Sequence, residues 1–199
     1  MPYQSINPAT GKVLKTFKEL TEPQLDKALK TAAACFESWR LTSFTRRAAV
    51  ASKAAAILRK RADEFARPMT LEMGKRIDEA RGEVAVSADI IDYYARNAER
   101  FLAPQKLKPK SGQAVIESSP LGVLFGVQPW NFPYYQLARF AAPNLMAGNV
   151  IMVKHAGCCC PSCGRRWSCR IASRTPCCRR CSFSSAASRC AGSWSTRAR

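Results

Sequence analysis

Apolar and polar positions follow helical and strand periods up to about residue 154, and both periods are lost afterwards. Ser5 to Phe17 reads as two short strands around a turn at Asn7–Gly11. Thr21-Glu22-Pro23-Gln24 has the spacing of a capping box with proline in the first turn. It predicts a helix to about Trp39 with Leu25, Leu29, Ala32 and Phe36 on one face. A second helix is expected from near Ser43 to about Ala66, with Val50, Ala54, Ile57, Leu58 and Phe65 as its apolar stripe and Pro68 interrupting it. A third covers roughly Ile77 to Phe101, with Ile77, Val84, Ala88, Ile91 and Ala95 inward, and Tyr93 and Tyr94 read as helix packing. Ala114 to Ser119 alternates as a strand.

Leu121 to Lys154 then reads as strand, helix, strand. Leu121–Val127 is apolar enough for burial on both faces, as in a parallel sheet. Leu137, Phe140, Ala141 and Leu145 mark the helix, which Pro143 should bend, and Val150–Val153 is the second strand. The class is α/β, with a right-handed crossover expected. Ligands of open α/β sheets bind at the carboxyl ends of strands. No Gly-x-Gly-x-x-Gly occurs, so this pattern alone does not specify a dinucleotide.

Pro129-Trp130-Asn131-Phe132-Pro133 falls at such a strand end. Each proline fixes φ and lacks a donor, and the residue before each is held out of the helical region. Asn131 thus carries its carboxamide on stiff backbone. From spacing alone it reads first as a helix cap. The alternative is an NH2 donor to a developing oxyanion, which implies chemistry on a carbonyl.

Composition changes the picture beyond residue 157. Nine of the ten cysteines lie there, with nine arginines, nine serines, no lysine and no acid. Those arginines carry half of the formal net charge of +18. Three readings are open. Cys160-Pro161-Ser162-Cys163 and Cys178-Arg179-Arg180-Cys181 have nearly zinc-ribbon spacing, though such density of cysteine makes pairs easy to obtain by chance. The arginines could neutralise phosphates, but only Trp167, Phe183 and Trp194 are there to stack on bases. Out-of-frame translation of a G/C-rich gene gives this mixture directly, and it is the reading favoured here. It predicts that another forward frame of the coding DNA resumes, from about codon 156, with an acid- and leucine-containing amphipathic helix. The chain is therefore divided into residues 1–157, an ordered region, and 158–199, a tail without an expected fold and read as disordered.

Asn7-Pro8-Ala9-Thr10-Gly11, Leu71-Glu72-Met73-Gly74-Lys75, Pro129–Pro133 and Gly148–Lys154 occur in this order. Together they resemble the N-terminal part of the NAD(P)-dependent aldehyde dehydrogenases, over residues 1 to about 157. The resemblance implies an incomplete Rossmann-type nucleotide-binding domain with N-terminal helices. It implies an enzyme in which a cysteine thiolate attacks the aldehyde, hydride passes to the nicotinamide of NADP or NAD, and water activated by a glutamate releases the acid.

By the same resemblance Asn131 is the oxyanion donor. Val127, Gln128, Pro129 and Trp130 line the cofactor, and Lys154 bonds the adenosine ribose; without the family pattern Lys154 is an ordinary strand-end lysine. Gly157 stands where many NAD-linked relatives carry a glutamate, which leaves room for the phosphate of NADP. His155 reads as structural. Arg139 lies eight residues after Asn131, two helical turns on. In the succinate-semialdehyde branch an arginine there binds the distal carboxylate; the alternative is a surface arginine. Tyr134 and Tyr135 could line the same entrance. The family's nucleophilic cysteine and glutamate have no counterpart in the matched region, since Cys35 sits on a packing helix without a basic partner. The chain itself is thus expected to be inactive. A homo-oligomeric, cytoplasmic parent is expected, with no membrane span, no secretory signal, and nucleic acid not among its partners.

Overall fold

A computed structural model describes residues 3–156. The zinc, arginine-arm and frame readings of residues 158–199, and Gly157, lie outside the described residues.

The first turn forms as expected. Strands β1 (Tyr3–Ile6) and β2 (Val13–Phe17) pair antiparallel. Asn7 organises the turn, its Oδ1 accepting from the Ala9 amide at 2.9 Å and its carbonyl from Gly11 at 2.8 Å. Helix α1 (Glu22–Trp39) starts at Thr21, whose amide donates to Gln24 Oε1 at 3.0 Å. It turns Ala32 inward.

The second predicted helix is two. Helix α2 (Phe44–Lys60) is followed by α3 (Ala62–Met73), and the break is at Arg61, with φ −112° and ψ 29°. Pro68 lies inside α3 instead of ending a helix. A proline there forfeits one backbone bond, and packing of Ala66 and Met69 into the core holds the helix through it. Gly74, in the left-handed region at φ 73°, closes α3.

The predicted stripe of α2 is also corrected. Val50, Ala54 and Ile57 are exposed, and the inward residues are Arg47 and Ala55. Small residues let the helices approach closely, so alanine rather than the larger aliphatics marks the buried face.

Helix α4 (Ile77–Phe101) is the central element, packing on α2, α3 and α5 (Pro133–Met146). Ala66, Met69, Ala80 and Val84 form a core, flanked by Leu58, Phe65, Ile77 and Tyr134. Strand β4 (Ala114–Ile116) is shorter than expected and pairs with β3 (Gln105–Leu107), which the pattern did not reveal. Strands β5 (Val123–Val127) and β6 (Val150–Lys154), which precede and follow α5 in the chain, pair parallel with each other, and Pro143 lies within that helix. Gly126 is required where α5 crosses β5, since a Cβ there would stand 2.6 Å from the Phe140 ring.

Burial of β5 on both faces is not realised among the described residues. Leu121, Phe125 and Val127 are exposed, and among the described residues β5 and β6 have only each other as partners. Apolar strands with open edges recruit other strands. The purified chain is therefore expected to self-associate; sedimentation showing a monomer with a sharp cooperative melt would contradict this.

The carboxyl end of α5 is sealed by Arg47, which is 7% exposed. Its Nη1 donates to the Met146 carbonyl at 2.8 Å, its Nη2 to the carbonyls of Thr42 (2.7 Å) and Arg40 (3.1 Å), and its Nε to Thr42 Oγ1 (3.1 Å). Burial pushes its pKa below the usual arginine value. A cation suits a helix carboxyl end. Arg47→Met strands these acceptors and should cost about 3 kcal/mol, read as a lower midpoint in denaturant titration.

Candidate active site

The site region is built on the carboxyl ends of β5 and β6 and the start of α5. At the strand ends Val127 stands opposite Lys154, and the Gln128 amide donates to the Lys154 carbonyl at 3.0 Å. Val127 and Trp130 are exposed, and so is Lys154. Gln128 is buried, with its side-chain nitrogen folded back over Gly126; its backbone alone contributes to the strand-end edge. Pro129 is exposed in the turn. Residues 121–156 contain no Asp or Glu, while Arg139 and Lys154 are cationic. An edge with an apolar residue, an indole face and an ammonium fits a dinucleotide, whose bases are flat and whose phosphates are anionic.

The other end of this unit is fixed by Asn149. Its buried Oδ1 accepts from the amides of Leu121 (2.6 Å) and Gly122 (3.0 Å), which ties the entry of β5 to that of β6. Two amides share one acceptor, so the strand register is set before the Pro129–Pro133 turn begins.

Asn131 is not the cap of α5. The N-cap position belongs to Phe132, whose side chain makes no capping bond. The Asn131 side chain is exposed and makes no hydrogen bond among the described residues, which leaves its NH2 available as a donor. Its carbonyl accepts from Lys75 Nζ at 3.5 Å. The capping work is done from a distance. Glu83 Oε1, on α4, accepts from the amides of Tyr134 (3.0 Å) and Tyr135 (3.2 Å). Its other oxygen pairs with Lys75. Neither Glu83 nor Lys75 stood out by its own position in the sequence as a site residue. Lys75 lies in one of the four motifs above, and that was the available signal.

Arg139 lies in an open groove of about 570 Å³ between α4 and α5, lined also by Val86, Asp89, Ile90, Tyr93, Tyr94 and Tyr135. Its Nη1 donates to the Tyr135 hydroxyl at 3.4 Å, with the guanidinium 5.4 Å from that ring's centroid. Among the described residues it joins no ion pair. The groove's acid, Asp89, is occupied by Arg59 at 2.8 Å. The hydrogen bonds that Arg59 donates to Asp89 and then Asp92 hold it above its ordinary pKa. Phe132 meets Tyr135 edge-on at 6.1 Å, so a run of rings leads from Asn131 towards Arg139.

Tyr93 is half exposed and lines this groove, beyond the packing role expected of it. Tyr134 turns the other way, edge-on to Phe65 at 5.6 Å. Burial, then the charges of Glu72, Glu83 and Glu64, push its phenol above the usual value. Cys35 is free and exposed on α1, not packed. Among the described residues no helix is long and apolar enough to cross a membrane.

Residues 1–163 match the aldehyde dehydrogenase family. The chain is 42% identical over 158 residues to a succinate-semialdehyde dehydrogenase [NADP(+)] of Deinococcus radiodurans, which covers 79% of this chain and 33% of that protein. It is 46% identical over 159 residues to succinate-semialdehyde dehydrogenase [NADP(+)] 1 of Mycobacterium tuberculosis, covering 78% of this chain and 35% of that one. Among solved structures, succinic semialdehyde dehydrogenase of Streptococcus pyogenes in complex with NADP+ superposes with a TM-score of 0.76 at 44% identity, covering 79% of this chain and 35% of that chain. The chain belongs to the aldehyde dehydrogenase family, and spans about a third of the length of these relatives.

Proposed function

We propose that this chain supplies the N-terminal part of a cytoplasmic, NADP- or NAD-dependent dehydrogenase that oxidises succinate semialdehyde to succinate. The reaction consumes aldehyde, water and oxidised cofactor, and yields carboxylate, reduced cofactor and two protons. The observation that carries the reading is Arg139, a guanidinium that joins no ion pair among the described residues, in an aromatic groove on the helix that begins beside Asn131. A guanidinium fork matches a carboxylate bidentately.

In this reading Arg139 holds the distal carboxylate, and Tyr93 and Tyr135 pack the short methylene stem. Asn131 then presents its NH2 to the carbonyl oxygen as negative charge develops there. Val127, Trp130 and Lys154, with the backbone of Gln128 and Pro129, hold the dinucleotide at the strand ends. The cofactor, when bound, supplies the hydride acceptor. The names of the relatives favour NADP.

The test is a chimera in which residues 1–156 replace the matching segment of the Streptococcus pyogenes relative. It should convert succinate semialdehyde to succinate with one NADPH formed per turnover. A folded chimera with no turnover, beside an active parent, would refute the proposal.

A further inference from the structure

Among the described residues no side chain of the Pro129–Pro133 turn caps the helix that follows it. Phe132 cannot cap α5, and the two prolines contribute no amides. The grip comes from two residues far back in the chain. Glu83 is buried, its side chain 2% exposed, and that of Lys75 is 10% exposed. One Glu83 oxygen takes the first free amides of α5, where the helix dipole favours negative charge. The other oxygen binds the Lys75 ammonium. That ammonium lies 3.8 Å from the centroid of the Phe132 ring and 3.5 Å from the Asn131 carbonyl oxygen. The pair therefore holds both sides of the Asn131–Phe132 junction and the helix that follows.

We infer that the buried Lys75–Glu83 pair is a positioning device for Asn131, holding the junction that aims its carboxamide. The inference rests on the reading of Asn131 as oxyanion donor for its meaning, but its geometry can be tested without turnover. A buried ion pair need not add stability: replacing both charges together is often neutral, whereas removing one leaves the other stranded. That difference separates positioning from mere stabilisation.

The experiment uses the full 199-residue chain and the variants Lys75→Met, Glu83→Gln and the double variant, with Val84→Ala as a control in the neighbouring core. Thermal melts are compared with amide hydrogen exchange resolved over residues 130–137. Each single charge variant should lower the melting temperature. The double variant should recover most of it, while exchange at Tyr134 and Tyr135 stays at least about tenfold faster than in the parent, the loss expected of charge-assisted bonds. Val84→Ala should lower the melt without a selective change in that segment. If exchange returns to the parent rate together with the melt, or never changes in Glu83→Gln, the pair does not position the turn and the inference is overturned. A chimera in which Asn131→Ala keeps full activity would instead refute the oxyanion reading, which the exchange rates do not address.

Discussion

Asn131→Ala in the chimera is expected to lower kcat by about 100- to 1000-fold, equivalent to roughly 3–4 kcal/mol of barrier, with little change in KM. The carboxamide is exposed and carries no hydrogen bond among the described residues, so it has no capping or packing role to lose. Phe132 occupies the cap position and Glu83 accepts the first amides, so the helix start does not depend on Asn131. An interaction made only as charge develops appears in kcat, not in ground-state binding. A matched melting temperature would show that the loss is chemical. A fall below tenfold would exclude Asn131 as a principal donor.

Arg139→Met is expected to lower kcat/KM for succinate semialdehyde by about 100-fold, roughly 2.7 kcal/mol, and to leave butanal within a few-fold. Among the described residues the guanidinium has Tyr135 as its hydrogen-bond partner and no carboxylate, so their fold does not depend on it electrostatically. Asp89, on the groove wall, is already held by Arg59, and so competes little with an incoming anion. Arg139→Lys should recover only part of the loss, because an ammonium cannot reproduce the planar fork. Equal losses on both substrates would reduce Arg139 to a packing residue.

What the sequence disclosed depended on whether the signal was local. The Asn7 turn, the Thr21 cap and the limits of α4 at Ile77 and Phe101 follow from residues within a few positions of one another, and all appear in the fold. The pattern points to a break at Pro68 and the chain breaks at Arg61, because a proline is a visible breaker while a single residue at φ −112° is not. The α2 stripe differs from the pattern because Val50 and Ile57 outweigh Ala55 in hydrophobicity, although alanine is what close helix packing selects. The Glu83 cap is 51 and 52 residues from the amides it accepts, so no periodicity can reveal it. Arg139 was legible as a residue through the family motifs, but its groove needed α4 in place, and with it Tyr93.

The central claim is that Arg139 and its groove select an aldehyde bearing a carboxylate. The direct measurement is kcat/KM of the chimera for succinate semialdehyde and for its methyl ester, which keeps the chain and removes the charge. A preference of about 100-fold for the free acid is predicted, falling to a few-fold in Arg139→Met. Equal kcat/KM for acid and ester in the unmodified chimera would contradict the account.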